Sequence, residues 1–167
     1  MPFATASKKR GGQYLVKTHV WYLERLVWLV AGLDVLASSL LAAFVSRGWA
    51  FSILFVGICS LCVSLTGFCI VGNLLKLCGV RPMIPSPAPV RFYFMQTDRW
   101  HLERFIYLFV GTNLSLSSLL AYASSPAWLC FTGFVGAATI TFAFTGFCIM
   151  ANLLYRLGAE PRLRRHI

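Results

Sequence analysis

Four groups of residues in this chain have types and spacings that could do chemistry. Cys69 and Cys148 lie at matching places in two copies of Thr-Gly-Phe-Cys, and paired thiols of this kind can exchange sulfur or electrons when they ionise. Asp34, with Asn113 as its counterpart, is an ionisable group inside an apolar run, where a carboxyl can serve proton or ion handling. Glu24-Arg25 and Glu103-Arg104 place an acid beside a base at the start of two apolar runs. Cys59-Ser60-Leu61-Cys62 has the outward form of a redox or metal motif.

These residues are matched because the chain repeats itself. Shifted by seventy-nine positions, Thr18 to Pro82 aligns with Thr97 to Pro161 without a gap, and about two in five paired residues are identical. Each copy holds two apolar stretches long enough to cross about 30 Å of hydrocarbon, which takes roughly 20 helical residues. The four spans are expected near Leu26 to Val45, Phe51 to Leu75, Phe105 to Ala123 and Trp128 to Leu153. With 58% hydrophobic residues, 12% charged and a mean hydropathy of +0.73, the composition belongs to the membrane class. The expected fold is an all-α integral membrane protein, four transmembrane helices arranged as two parallel-repeat helical hairpins. Its parts are a basic tail (1–17), a first two-span hairpin (18–82), a linker rich in proline and aromatic residues (83–96), a second two-span hairpin (97–161) and a basic tail (162–167).

All but Arg47 of the 15 Lys and Arg residues fall in the first tail through Arg25, the centre from Lys76 to Arg104, or the end from Arg156. By the positive-inside rule both termini and the linker are cytoplasmic, and the turns 45–50 and 124–127 face outward. Trp21, Trp100, Trp49 and Trp128 then mark the two interfaces. The first apolar run is longer than a secretory signal core and a second follows directly, so it reads as a retained signal-anchor. The net charge of +10 suits anionic headgroups of the lipid bilayer. Split among juxtamembrane segments, it forms no stripe that would track nucleic acid.

Each chemical reading competes with a plainer one. Cys69 and Cys148 are flanked by Phe and Ile, which do nothing to ionise a thiol, so small, polarizable packing residues are the first reading. Asp34 falls near mid-membrane by counting, level with Cys62 and Ser64, and is better explained as hydrogen-bonded or engaging another subunit. Glu24 and Glu103 suit the positive end of a helix dipole, and Arg25 and Arg104 can snorkel to headgroups. Bonds from the glutamates to Asn73 and Asn152 would clasp each hairpin. Gly32, Gly57, Gly67, Gly111, Gly136 and Gly146 are candidates for close helix approach, and Gly79 and Gly158 for helix C-caps. His19, His101 and His166 lie at or outside the membrane edge, away from any haem site. No phosphate loop, triad order or zinc signature is present, so no catalytic, cofactor-binding or metal residue is assigned and no enzyme is expected.

Two copies of Glu-Arg, a mid-span Gly, Thr-Gly-Phe-Cys and Asn-Leu-Leu before Gly79 or Gly158 resemble the YgaP-like inner-membrane domain, a two-span hairpin of unknown function sometimes fused to a rhodanese sulfurtransferase. The resemblance covers both repeats and rests most on Thr66 to Cys69 and Thr145 to Cys148. Where that family commonly has proline after the cysteine, Ile70 and Ile149 stand here, and no rhodanese segment lies among these residues. The resemblance implies a tandem duplication of that hairpin in a bacterial inner membrane. The leading expectation is a non-catalytic accessory or scaffold subunit among other membrane proteins. The alternatives are a thiol-based sulfur (persulfide) carrier using Cys69 and Cys148, or a small proton-coupled transporter using Asp34.

Overall fold

A computed structural model describes residues 13–83, 92–95 and 97–162. The expected basic tail through residue 12, the linker prolines Pro85, Pro87 and Pro89, and residues 163–167 lie outside the described residues. The described chain is helical: α1 (Leu23–Phe44), a 3-10 turn (Arg47–Trp49), α2 (Ala50–Thr66), α3 (Ile70–Leu77), α4 (Leu102–Ala123), α5 (Trp128–Thr145) and α6 (Ile149–Arg156). Four helical stretches, Leu23–Phe44, Arg47–Thr66, Leu102–Ala123 and Trp128–Thr145, are long and apolar enough to cross a membrane.

These stretches are proline-free, so no residue within them lacks the N–H that a helix interior needs. Each long helix that starts at a Leu-Glu-Arg triplet also has its first backbone donor satisfied from outside: Leu23 N–H donates to the Arg81 carbonyl at 3.0 Å, and Leu102 N–H to that of Glu160 at 2.9 Å. Such bonds answer the orphan N–H groups every helix start carries.

The strongest packing is not between neighbours in sequence. α1 lies chiefly along α5, and α2 along α4. Glycines bring these backbones together: a Cβ on Gly32 would lie 3.0 Å from the Gly136 carbonyl oxygen, and one on Gly111 would lie 2.8 Å from that of Gly57. At that separation no side chain fits between the helices, so van der Waals contact is made backbone to backbone. The Ser39 and Thr132 hydroxyls, 2.8 Å apart, join α1 to α5 farther along. Val35, Ile53, Leu114 and Leu129 form one buried cluster toward the turns. Tyr14, Trp28, Tyr93, Leu23, Leu102 and Tyr155 belong to a second, toward α3 and α6.

Two expected spans are corrected. Phe51 to Leu75 and Trp128 to Leu153 are not continuous, because each helix breaks at Thr-Gly-Phe-Cys and restarts as α3 or α6. Gly67 (φ 76°) and Gly146 (φ 71°) adopt the left-handed conformation that ends a helix. Their role is therefore to break the helix and admit a neighbouring strand-like segment, whereas Gly32, Gly57, Gly111 and Gly136 do pack helix on helix. Gly79 and Gly158 end α3 and α6 in Schellman turns, with Val80 N–H bonded to the Leu75 carbonyl and Ala159 N–H to that of Leu154.

Candidate functional site

The candidate residues converge at the α3 and α6 end. The break after α2 leaves Phe68 extended, and it forms a β-bridge with Phe94; the break after α5 pairs Phe147 with Leu15 in the same way. Met95 N–H donates to the Gly67 carbonyl at 2.8 Å, and Val16 N–H to that of Gly146 at 3.1 Å. Two short extended segments, 92–95 and 14–16, thus fill the gaps in the two broken helices.

Asn73 holds the first segment by both of its amide atoms. Tyr93 N–H donates to Asn73 Oδ1 at 2.6 Å, and Asn73 Nδ2 donates to the Tyr93 carbonyl at 3.0 Å. Asn152 does the same to Tyr14, at 2.7 and 3.1 Å. Each asparagine also donates to the carbonyl of Cys69 or Cys148 at 2.8 Å, closing the first turn of the short helix. Glu24 then accepts the Tyr93 hydroxyl at 2.9 Å and the Met83 N–H at 2.9 Å. Glu103 accepts the Tyr14 hydroxyl at 3.0 Å and the Arg162 N–H at 3.0 Å. The clasp therefore runs through a tyrosine: glutamate and asparagine grip the same residue, one at its hydroxyl and one at its backbone. Burial, reinforced by the adjacent glutamate, pushes both tyrosine hydroxyls well above their ordinary pKa, so they remain protonated donors.

The arginines turn into the protein. Arg25 and Arg104 are 4% and 5% exposed, and each guanidinium caps the end of a long helix. Arg104 donates through Nε and Nη2 to the Ser64 carbonyl, at 2.9 and 2.8 Å, and through Nη1 to the Thr97 carbonyl at 3.0 Å. Arg25 bonds the matching Ala143 carbonyl and the Thr18 carbonyl. A cation at a helix C-terminus meets the negative end of the dipole and satisfies carbonyls that have no intrahelical partner. Each guanidinium also stacks on an indole, Arg25 on Trp21 at 3.7 Å and Arg104 on Trp100 at 4.1 Å. Snorkelling gives way to this arrangement because five fixed donors find carbonyls inside the protein.

Cys69 and Cys148 are the N-cap residues of α3 and α6. The Cys69 thiol accepts from Gly72 N–H at 3.2 Å, and the Cys148 thiol from Ala151 N–H at 3.5 Å. Cys69 is buried and Cys148 half-buried. Burial pushes the Cys69 thiol above its ordinary pKa despite the Gly72 bond, which keeps it in the less nucleophilic thiol form.

His101, the residue that precedes α4, is buried in the protein. It is 2% exposed, its Nδ1 lies 3.1 Å from the Arg99 carbonyl, and among the described residues its buried Nε2 has no partner. Burial, with Arg162 and Arg104 adding to it, pulls its pKa from an ordinary 6.5 to about 4.

Asp34 and Asn113 stand apart from this cluster. Asp34 is half-buried on α1 and accepts from the Ser52 hydroxyl at 3.3 Å; neither Cys62 nor Ser64 pairs with it. The level expected from residue counting is corrected: Asp34 meets Ser52, in the first turn of α2. Asn113 Nδ2 turns back onto the Phe109 carbonyl at 2.7 Å. Cys59 is half-buried and Cys62 exposed. Among the described residues no group of three His, Cys, Asp or Glu side chains is placed to hold a metal ion.

Sequence reasoning missed Tyr14 and Tyr93. A signal existed, since they too are seventy-nine positions apart, but three non-identical pairs separate them from Thr18 and Thr97, where the visible match begins. Compared with protein-family models, curated proteins and solved structures, the chain matches none.

Proposed function

We propose that this chain is a non-catalytic integral membrane protein, an accessory or scaffold subunit of a larger bacterial inner-membrane complex. It is built as two fused two-span hairpins in parallel, with both termini cytoplasmic. The recurrence of the same tyrosine, asparagine, glutamate and arginine bonds at matched positions supports the duplicated hairpin, as does the resemblance of Thr66 to Cys69 and Thr145 to Cys148 to the YgaP-like hairpin. The all-but-one bias of basic residues toward one side supports the orientation. Non-catalytic work fits because Glu24, Glu103, Arg25, Arg104, Cys69 and Cys148 are all bound to the chain's own groups.

The observation that carries the subunit reading is Asp34. It lies in the middle of a membrane-length helix, half-exposed, and among the described residues its hydrogen-bond partner is one distant Ser52 hydroxyl. A carboxyl in that setting is stabilised by a donor from a neighbouring span. The test is affinity purification from native membranes in mild detergent, for the natural chain and Asp34→Leu. The reading expects partner spans to co-purify and to be lost in the variant. A monomer that brings nothing with it overturns the reading.

A further inference from the structure

One end of the molecule carries a cleft that the clasp does not use. Its volume is about 600 Å³, and its wall includes Lys17, His19, Trp21, Tyr22, Leu26 and Arg81. No acid lines it. Among the described residues the Lys17, His19 and Arg81 side chains have no hydrogen-bond or ion-pair partner, and the buried Tyr22 hydroxyl has none either. Two cations held around one hollow repel each other, and an anion relieves that repulsion.

At the matched positions in the second half the charges are paired within the chain. Asp98 stands where His19 does and Arg162 where Met83 does, and they form an ion pair at 2.9 Å. Glu160 replaces Arg81. Phe105 replaces Leu26 and packs on Trp100 with ring centroids 5.3 Å apart. One copy therefore neutralises the place internally, and the other leaves it basic and open. Glu24 holds Met83 of the open wall through its backbone, yet it is 1% exposed and also bound to Tyr93, so its charge sits behind the wall.

We propose that this cleft binds the phosphate of an anionic phospholipid. Lys17 and Arg81 supply the charge, His19 an N–H donor, and Trp21 and Leu26 the amphipathic and apolar edge where the glycerol and first methylenes lie. A lipid is favoured over free phosphate because Leu26 belongs to a helix of membrane length and Trp21 is exposed beside the cleft, as indoles are at a bilayer boundary. Basic hollows between membrane helices are suited to such headgroups. The inference rests on the membrane-spanning part of the proposed function.

The experiment is native mass spectrometry of the protein from detergent with equal phosphatidylglycerol and phosphatidylcholine. Lys17→Gln with Arg81→Gln is compared with the charge-matched Arg47→Gln with Arg156→Gln. Among the described residues the Lys17 and Arg81 side chains make no internal bond, so the first pair is expected to fold; Lys17→Gln alone is the milder second variant. The expected result is preferential retention of phosphatidylglycerol, cut about tenfold by the first pair, less by Lys17→Gln, and left unchanged by the second pair. Equal loss in both pairs, or no preference in the natural chain, overturns the site. Complete displacement by inorganic phosphate assigns it to a soluble anion and overturns the lipid. A chain that retains neither lipid and stays soluble without detergent refutes membrane insertion itself, a failure distinct from that of the cleft.

Discussion

The Tyr93 hydroxyl donates to Glu24 at 2.9 Å across sixty-nine residues of sequence, in the buried interior. This bond joins the segment before α4 to the first turn of α1, and Tyr14 makes the counterpart to Glu103. A buried hydrogen bond to a charged acceptor contributes about 1.5–3 kcal/mol. Tyr93→Phe is therefore expected to lower stability by roughly 2 kcal/mol, and Tyr93→Phe with Tyr14→Phe by close to the sum, since the two bonds have separate donors and acceptors. Denaturant unfolding in detergent micelles measures this. A single variant as stable as the natural chain would contradict the clasp.

Arg104 caps the Ser64 and Thr97 carbonyls from a buried position. Removing the guanidinium leaves carbonyls without donors at about 1–3 kcal/mol each, so Arg104→Met is expected to destabilise by several kcal/mol. Arg104→Lys should recover little, because a single ammonium cannot reproduce the fork. If lysine restores the unfolding midpoint fully, the capping geometry does not matter.

Gly67 and Gly79 both have positive φ, 76° and 87°, but their surroundings differ. A Cβ at Gly67 would collide with the Met95 backbone carbonyl, and one at Gly79 meets nothing within 4 Å. Gly79→Ala should cost only the left-handed strain of about 1–2 kcal/mol. Gly67→Ala should displace the 92–95 segment as well, which proteolysis between residues 83 and 97 would report. Equal effects of the two substitutions would contradict the close approach.

Cys69 is buried with its thiol pKa raised by burial, Cys148 is half-buried, and Cys62, Cys78 and Cys130 are exposed. Alkylation in single-cysteine variants should be slowest at Cys69 and faster at Cys148. Water-soluble reagent should favour Cys78, which lies past the end of α3 and outside the membrane-length helices. Rapid labelling of Cys69, or a stable persulfide there, would revive the sulfur-carrier alternative.

His101 has a folded pKa near 4 against an ordinary 6.5, with burial as the main cause. As pH falls through 6.5 the unfolded chain gains a proton that the folded chain refuses, so stability is full above 6.5 and is lost as pH approaches 4. The thermal midpoint should fall over that window, and His101→Phe should flatten the loss. An unchanged acid limb in the variant would assign the loss to other groups.

The number of membrane-length apolar helices and the residue matching of the two halves were legible from residues alone. Each depends on local quantities: the length of an apolar run, the absence of proline within it, and a recurrence at fixed spacing. The glycines Gly32, Gly57, Gly111 and Gly136 were legible as packing residues for the same reason, since a missing side chain has one evident use in a span. Their partners were not. That α1 packs on α5 and α2 on α4 follows from how four helices share their small faces, and sequence neighbours bias that choice without deciding it. The break at Gly67 and Gly146 also depended on distant chain. Thr-Gly-Phe-Cys could continue as helix, but the segments bearing Tyr93 and Tyr14 supply partners for the backbone groups that the break exposes. Arg25 and Arg104 turned inward for the same reason: the carbonyls of Ala143 and Ser64 exist as open acceptors only once helices from the other half of the chain end beside them.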